Sequence, residues 1–243
     1  MSADLILADL HLQIPLAASK ASFANEAFLR FCAGPARTAQ RVFILGDLFE
    51  SWVGDDLGLA DYPQEIAALK ALSDSGVELL YQTGNRDFIL GRRFAAATGA
   101  RSLPDEWVET LAGTPTLLAH GDQYCTDDIG YQRWRRFSRW PLAQWLFLRL
   151  PPQRRRRIAG GLREGKRDKP VSIMDVQGDA ISAAFSRHGV TRMIHGHTHR
   201  PMAHALTVQG RACERIVLAD WRPDRIEWLH VDEQGWARQS FTS

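Results

Sequence analysis

Short apolar runs, each cut off by a polar cluster, recur along this chain. Residues 4–8 (Asp-Leu-Ile-Leu-Ala) read as a buried strand that stops at Asp9-Leu10-His11, and residues 42–45 as a second that stops at Gly46-Asp47. Residues 77–81 run into Gly84-Asn85-Arg86-Asp87, 116–119 into His120-Gly121-Asp122, and 191–194 into His195-Gly196-His197-Thr198-His199. Between the early strands lie helical patterns. One covers 20–32, with Phe23, Phe28, Leu29 and Phe31 expected in the core; another covers 61–75, where Ile66, Leu69 and Leu72 recur at spacing three before Gly76. Shorter helices are expected around Phe94 and over 175–188, and further strands over 215–218 and 225–231. Trp221, Trp228 and Trp236 read as packing residues. Strands alternating with helices predict an α/β fold, and in such folds ligands gather at the carboxyl ends of the strands. All five polar clusters fall at those ends.

Composition narrows the setting. With 243 residues and 45% apolar content the chain can build one large core, with room for an insertion. Cys32, Cys125 and Cys213 show no paired spacing, which fits a reducing compartment better than a disulfide framework. No signal-peptide pattern and no apolar run of membrane-spanning length are apparent, so a cytoplasmic setting is expected.

The clusters supply the chemistry. Three histidines within five residues are hard to explain by packing, because each buried imidazole needs polar partners. Asp9, His11, Asp47, Asn85, His120, His197 and His199 together are too many ligands for one zinc ion. They suit two divalent cations sharing a bridging carboxylate. Oxygen and imidazole donors without thiolate point to manganese, iron or zinc rather than calcium.

In order and at strand ends, the motifs Asp-x-His, Gly-Asp-x-x-Glu, Gly-Asn-x-Asp and Gly-His-x-His resemble those of the calcineurin-like metallophosphoesterases. Residues 8–12, 44–50, 84–88, 120–128 and 195–201 are similar to a narrower group, the UDP-2,3-diacylglucosamine diphosphatases of lipid A biosynthesis, and the similarity covers nearly the whole chain. The resemblance implies a four-layered αββα sandwich carrying a helical cap, with the core at 1–128 and 173–243 and the cap at 129–172. It implies two Mn2+ ions, one held by Asp9, His11, Asp47 and His199 and the other by Asp47, Asn85, His120 and His197. Asp47, Asn85, Arg86 and His120 would carry catalysis, and Asn85, Arg86, Asp128, Lys169 and His197 would contact substrate. The implied reaction splits UDP-2,3-diacylglucosamine into UMP and 2,3-diacylglucosamine 1-phosphate. His195 is expected behind the ligands rather than among them.

Arg86 and the insertion refine this expectation. Arginine stays charged at neutral pH, so it can clamp a diphosphate but cannot protonate a leaving group. That favours a pyrophosphate, whose leaving phosphate needs little protonation. From 131 to 163 there is no acidic residue, while Arg133, Arg135, Arg136, Arg139, Arg149 and Arg154 to Arg157 alternate with Trp134, Phe137, Trp140, Trp145 and Phe147. Such a stretch suits helices resting on anionic lipid at the cytoplasmic face of the inner membrane, or a lid over an acyl-bearing substrate, more than a nucleic-acid site. Pro141 and Pro151-Pro152 should break it into short helices. No protein partner is expected. The segment 163–170 is shorter than its counterpart in that group, and Lys169 is its one recognisable substrate contact. The alternatives are a generic phosphodiesterase or nuclease of the same superfamily, and a non-catalytic membrane scaffold on this fold.

Overall fold

The computed structural model describes residues 3–14, 22–164 and 175–241. Strands β1 (Ala3–Leu7), β2 (Ala39–Leu45), β3 (Glu78–Gln82) and the short β4 (Arg101–Ser102) pair in parallel, and β10 (Glu227–Asp232) and β11 (Gly235–Ser240) extend this sheet antiparallel beyond β1. In a second sheet β6 (Thr114–Ala119), β7 (Arg192–His195) and β9 (Arg211–Val217) are parallel, with β5 (Glu106–Leu111) and β8 (Met202–Val208) as antiparallel edges.

Period-two alternation stacks the layers. Leu5, Leu7, Val42, Ile44 and Leu79 face outward from the first sheet into a core shared with α1 (Phe23–Ala33), α3 (Pro63–Asp74) and α4 (Arg92–Thr98). Their neighbours Ile6, Phe43, Leu45 and Leu80 face the other way, against Leu118, Ile194 and Ile216 of the second sheet. Leu117, Ala119 and Met193 then meet Ile181, Ala184 and Phe185 of α8 (Gly178–His188) on its far side. The order is helix, sheet, sheet, helix. Burial on both faces explains why the parallel strands read as unbroken apolar runs.

Several expectations change. The helix expected over 61–75 is α3, which Pro63 opens at the position where a missing N–H costs nothing; a separate helix, α2 (Asp55–Asp61), was not anticipated and ends just before it. Phe23, expected in the core, is 39% exposed in the first turn of α1, while Phe28 and Phe31 are buried. Strands β5, β8 and β11 were not anticipated; each is an edge strand with a solvent-facing side.

The basic stretch forms α5 (Ile129–Ser138), α6 (Pro141–Leu148) and α7 (Pro152–Glu164), broken at the expected prolines. It is anchored at both ends. Asp122, fully buried after β6, accepts from Tyr131 Oη and from Arg135 Nε (2.9 Å). On α7, Arg155 is 2% exposed and donates through Nη1 to the Val53 carbonyl (2.7 Å) and to Asp56 Oδ1 (2.8 Å), with Nη2 also on Asp56. Truncating Arg155 strands that carbonyl. Arg155→Ala is therefore expected to cost about 1–3 kcal/mol, read as a lowered urea midpoint at an unchanged slope.

Candidate metal centre

Every parallel strand except β4 delivers polar side chains at its carboxyl end, and the loops that follow are stitched together. Asp9 and His11 donate their backbone N–H groups to the carbonyls of Gly46 (3.1 Å) and Asp47 (3.0 Å). Within the second sheet the Gly196 N–H reaches the His120 carbonyl (2.9 Å), and between the sheets Trp221 N–H reaches the Asp9 carbonyl (3.2 Å). Asp9, His11, Asp47, His197 and His199 all adopt left-handed φ, between 51° and 69°. That conformation is unfavourable for residues with a Cβ, and it clusters where geometry serves function. Two glycines permit the crowding: a Cβ on Gly84 would strike Asp47, and one on Gly196 would strike Asp9.

The seven residues named from sequence converge here. Ligand atoms of Asp9, His11 and His199 lie within 4.8 Å of one another, as do those of Asp9, Asp47 and His120. Asp47 stands between the groups, with Oδ2 4.0 Å from His11 Nε2 and Oδ1 3.8 Å from His120 Nε2. Asn85 Oδ1 is 3.4 Å from His120 Nε2, and the His197 ring lies 5.1 Å from that of His120 between centroids. His197 also donates its backbone N–H to Asp9 Oδ2 (2.7 Å).

These side chains fit divalent cations. Asp9 is fully buried and its Oδ1 accepts no hydrogen bond. His11 Nε2 and His199 Nε2 face each other at 3.3 Å. Burial opposes the Asp9 charge, yet His199, His120 and His11 hold the carboxyl well below the usual carboxylate range. Burial likewise opposes a charged His11, but Glu50, Asp47 and Asp9 outweigh it and lift the ring to about 9. Carboxylates and imidazoles thus offset one another's burial, and such groups cluster at functional sites.

Surrounding groups fix the loops. Asp87 accepts from Leu48 N–H (2.8 Å) and Gly84 N–H (2.7 Å), tying two of them together; burial and the neighbouring Asp47 push its pKa up to about 6. His195 is fully buried, donates from Nδ1 to the Gly196 carbonyl (2.8 Å) and accepts from Arg215 Nη1 (3.0 Å) at Nε2. Burial and Arg215 depress it to about 3, so it stays neutral behind the cluster. Asp128 caps α5, accepting the Tyr131 N–H (2.9 Å). Lys169 lies outside the described residues. Sequence reasoning missed Asp220, whose Oδ2 sits 3.4 Å from His199 Nδ1, and Tyr131, whose ring stacks on His197 at 6.4 Å. Asp220 follows β9 as the other acidic groups follow their strands, a signal that was available.

Beside the cluster opens a cavity of about 340 Å³. Glu50, Asn85 and Arg86 form its polar end; Trp52, Val53, Phe88, Trp134, Phe137 and Phe147 are among its apolar walls. Arg86 donates its backbone N–H to Asp47 Oδ1 (2.8 Å), and its buried Nε has no hydrogen-bond partner.

No family model matches the chain. Curated relatives do. It is 45% identical over 235 residues to UDP-2,3-diacylglucosamine hydrolase of Tolumonas auensis, covering 95% of this chain and 93% of that protein. The enzymes of the same name from Escherichia fergusonii and Pseudomonas fluorescens are 46% and 43% identical, over 91% and 98% of this chain and 92% and 94% of theirs. The chain belongs to the UDP-2,3-diacylglucosamine hydrolase family. Among solved structures, an archaeal phosphodiesterase overlaps 98% of this chain and 99% of its own at a TM-score of 0.48 and 10% identity, too distant to carry the assignment. Membership in this hydrolase family agrees with a divalent-cation site on an αββα sandwich.

Proposed function

We propose that the chain hydrolyses the pyrophosphate bond of UDP-2,3-diacylglucosamine, releasing UMP and 2,3-diacylglucosamine 1-phosphate. The observation that carries this reading is the continuity of the cation cluster with a mostly apolar cavity through Asn85 and Arg86. A substrate that joins a diphosphate to two acyl chains needs such a junction, polar at one end and hydrocarbon at the other.

Asp9, His11, Asp47 and His199 would hold one cation, and Asp47, Asn85, His120 and His197 the other, both proposed as Mn2+. Bound there, the pair supplies an activated water and neutralises charge building up on the phosphoryl oxygens. His120 donates its Nδ1 proton to the Leu45 carbonyl at 2.8 Å, which turns Nε2 inward as the nitrogen that would meet a cation. The charged guanidinium of Arg86 lies at the mouth of the cavity to grip the diphosphate and stabilise the charge that develops on phosphorus. Tyr131, stacked on His197 and bonded to Asp122, keeps that ring in place.

Helices α5 to α7 then serve as a cap over the acyl chains. Phe137, Trp140, Leu142, Trp145 and Leu146 remain exposed on them, beside Arg133, Arg136 and Arg149, and this face is proposed to rest on an anionic membrane surface. No helix among the described residues is long and apolar enough to cross a membrane.

The test follows UMP release from UDP-2,3-diacylglucosamine beside an unacylated UDP-sugar, a cyclic nucleotide and single-stranded DNA. Turnover should be confined to the acylated substrate, vanish on chelation and return with Mn2+, at two ions per chain. Faster hydrolysis of DNA or a cyclic nucleotide would replace this reading with a general phosphodiesterase.

A further inference from the structure

The histidines of the site are held from behind by different kinds of group. His11 Nδ1 lies 2.9 Å from Glu50 Oε2, and His199 Nδ1 lies 3.4 Å from Asp220 Oδ2. His120, by contrast, is held by a backbone carbonyl. The division follows the two ligand groups, since both carboxylate-backed rings belong to the group with Asp9 alone, and the carbonyl-backed ring to the group with Asp9 and Asp47.

We propose that Glu50 and Asp220 are positioning residues that fix His11 and His199 and make the cation place between them the tighter of the two. The inference rests on the two-cation reading above. A carboxylate beside Nδ1, in ion-pair contact, favours the tautomer with Nε2 free and makes the ring a more basic donor, effects that together change cation affinity by roughly ten- to a hundredfold. A neutral carbonyl selects the same tautomer but adds less electron density.

Both carboxylates are themselves held. Asp220 is 6% exposed and takes hydrogen bonds from Arg222 Nε and Arg225 Nη2, which hold it in place beside His199. Glu50 Oε1 lies 3.8 Å from Arg86 Nη1 while Oε2 is on His11. Glu50 therefore links the ring of a cation ligand to the guanidinium that would meet the diphosphate.

The experiment is a Mn2+ titration of the metal-stripped full chain, read by calorimetry and by electron paramagnetic resonance, for wild type, Glu50→Gln and Asp220→Asn. Wild type should bind in two resolved steps, the first giving the signal of isolated ions and the second that of a coupled pair. Either substitution should weaken the tighter step by about ten- to a hundredfold and leave the other within about twofold. Glu50→Gln carries the test if losing the Arg222 and Arg225 contacts destabilises Asp220→Asn. An unchanged tighter step, equal weakening of both steps, or two indistinguishable steps in wild type would overturn the proposal. A chain that binds in this order yet leaves UDP-2,3-diacylglucosamine intact would refute the substrate reading and leave this one standing.

Discussion

Asp47→Ala is expected to lower kcat on UDP-2,3-diacylglucosamine by roughly a thousandfold or more, because several kcal/mol of charge stabilisation depend on both cations being held. Asp47 is the side chain whose two oxygens face histidines of both groups, at 4.0 Å and 3.8 Å. Its Oδ1 also accepts the Arg86 N–H, so the substitution loosens the loop after β3 as well. Metal analysis of the purified variant should find fewer than two ions per chain, and circular dichroism should find the sandwich intact. Near-normal turnover with divalent cation present would refute the two-cation mechanism.

Arg86→Ala should act differently. Its loss removes charge stabilisation from the transition state while leaving the cation ligands in place, so kcat should fall by about a hundred- to a thousandfold. KM should rise by less than kcat falls, because the grip of Arg86 on the diphosphate strengthens as charge builds up in the transition state. Lysine should not restore the rate, since a point charge cannot reproduce the paired donors of a planar guanidinium. A raised KM at unchanged kcat would make Arg86 a simple binding clamp instead.

Much of the site was legible because its ligands stand next to the strongest signal a sequence carries. Asp9, Asp47 and His120 each follow within two residues of a strand whose last four residues are buried, so the apolar run points at them. Tyr131 was harder to read. Its neighbours are arginines and aromatics that suggest a surface helix, and only the fold reveals that this side chain turns inward onto His197. Asp220, flanked by Arg222 and Arg225, has the look of a surface ion pair, and its meeting with His199 depends on how β7 and β9 pair. The edge strands escaped for a related reason: β5 mixes charged, polar and apolar residues over six positions without a clean alternation, too little to separate from a loop. Pro63 marks the start of α3, although the spacing of Ile66, Leu69 and Leu72 is equally compatible with a helix that begins at Asp61.

The left-handed backbone at Asp9, His11, Asp47, His197 and His199 has a consequence for anyone who would make this protein more robust. Each such residue sits uphill of its relaxed conformation by about 1–2 kcal/mol. Glycine at any of these positions would relieve that tension and remove one side chain of the metal centre, so a screen for heat tolerance alone would enrich for inert molecules. Durability and turnover pull in opposite directions at the same five positions, and the wide apolar layers beneath them are what let the fold tolerate the conflict.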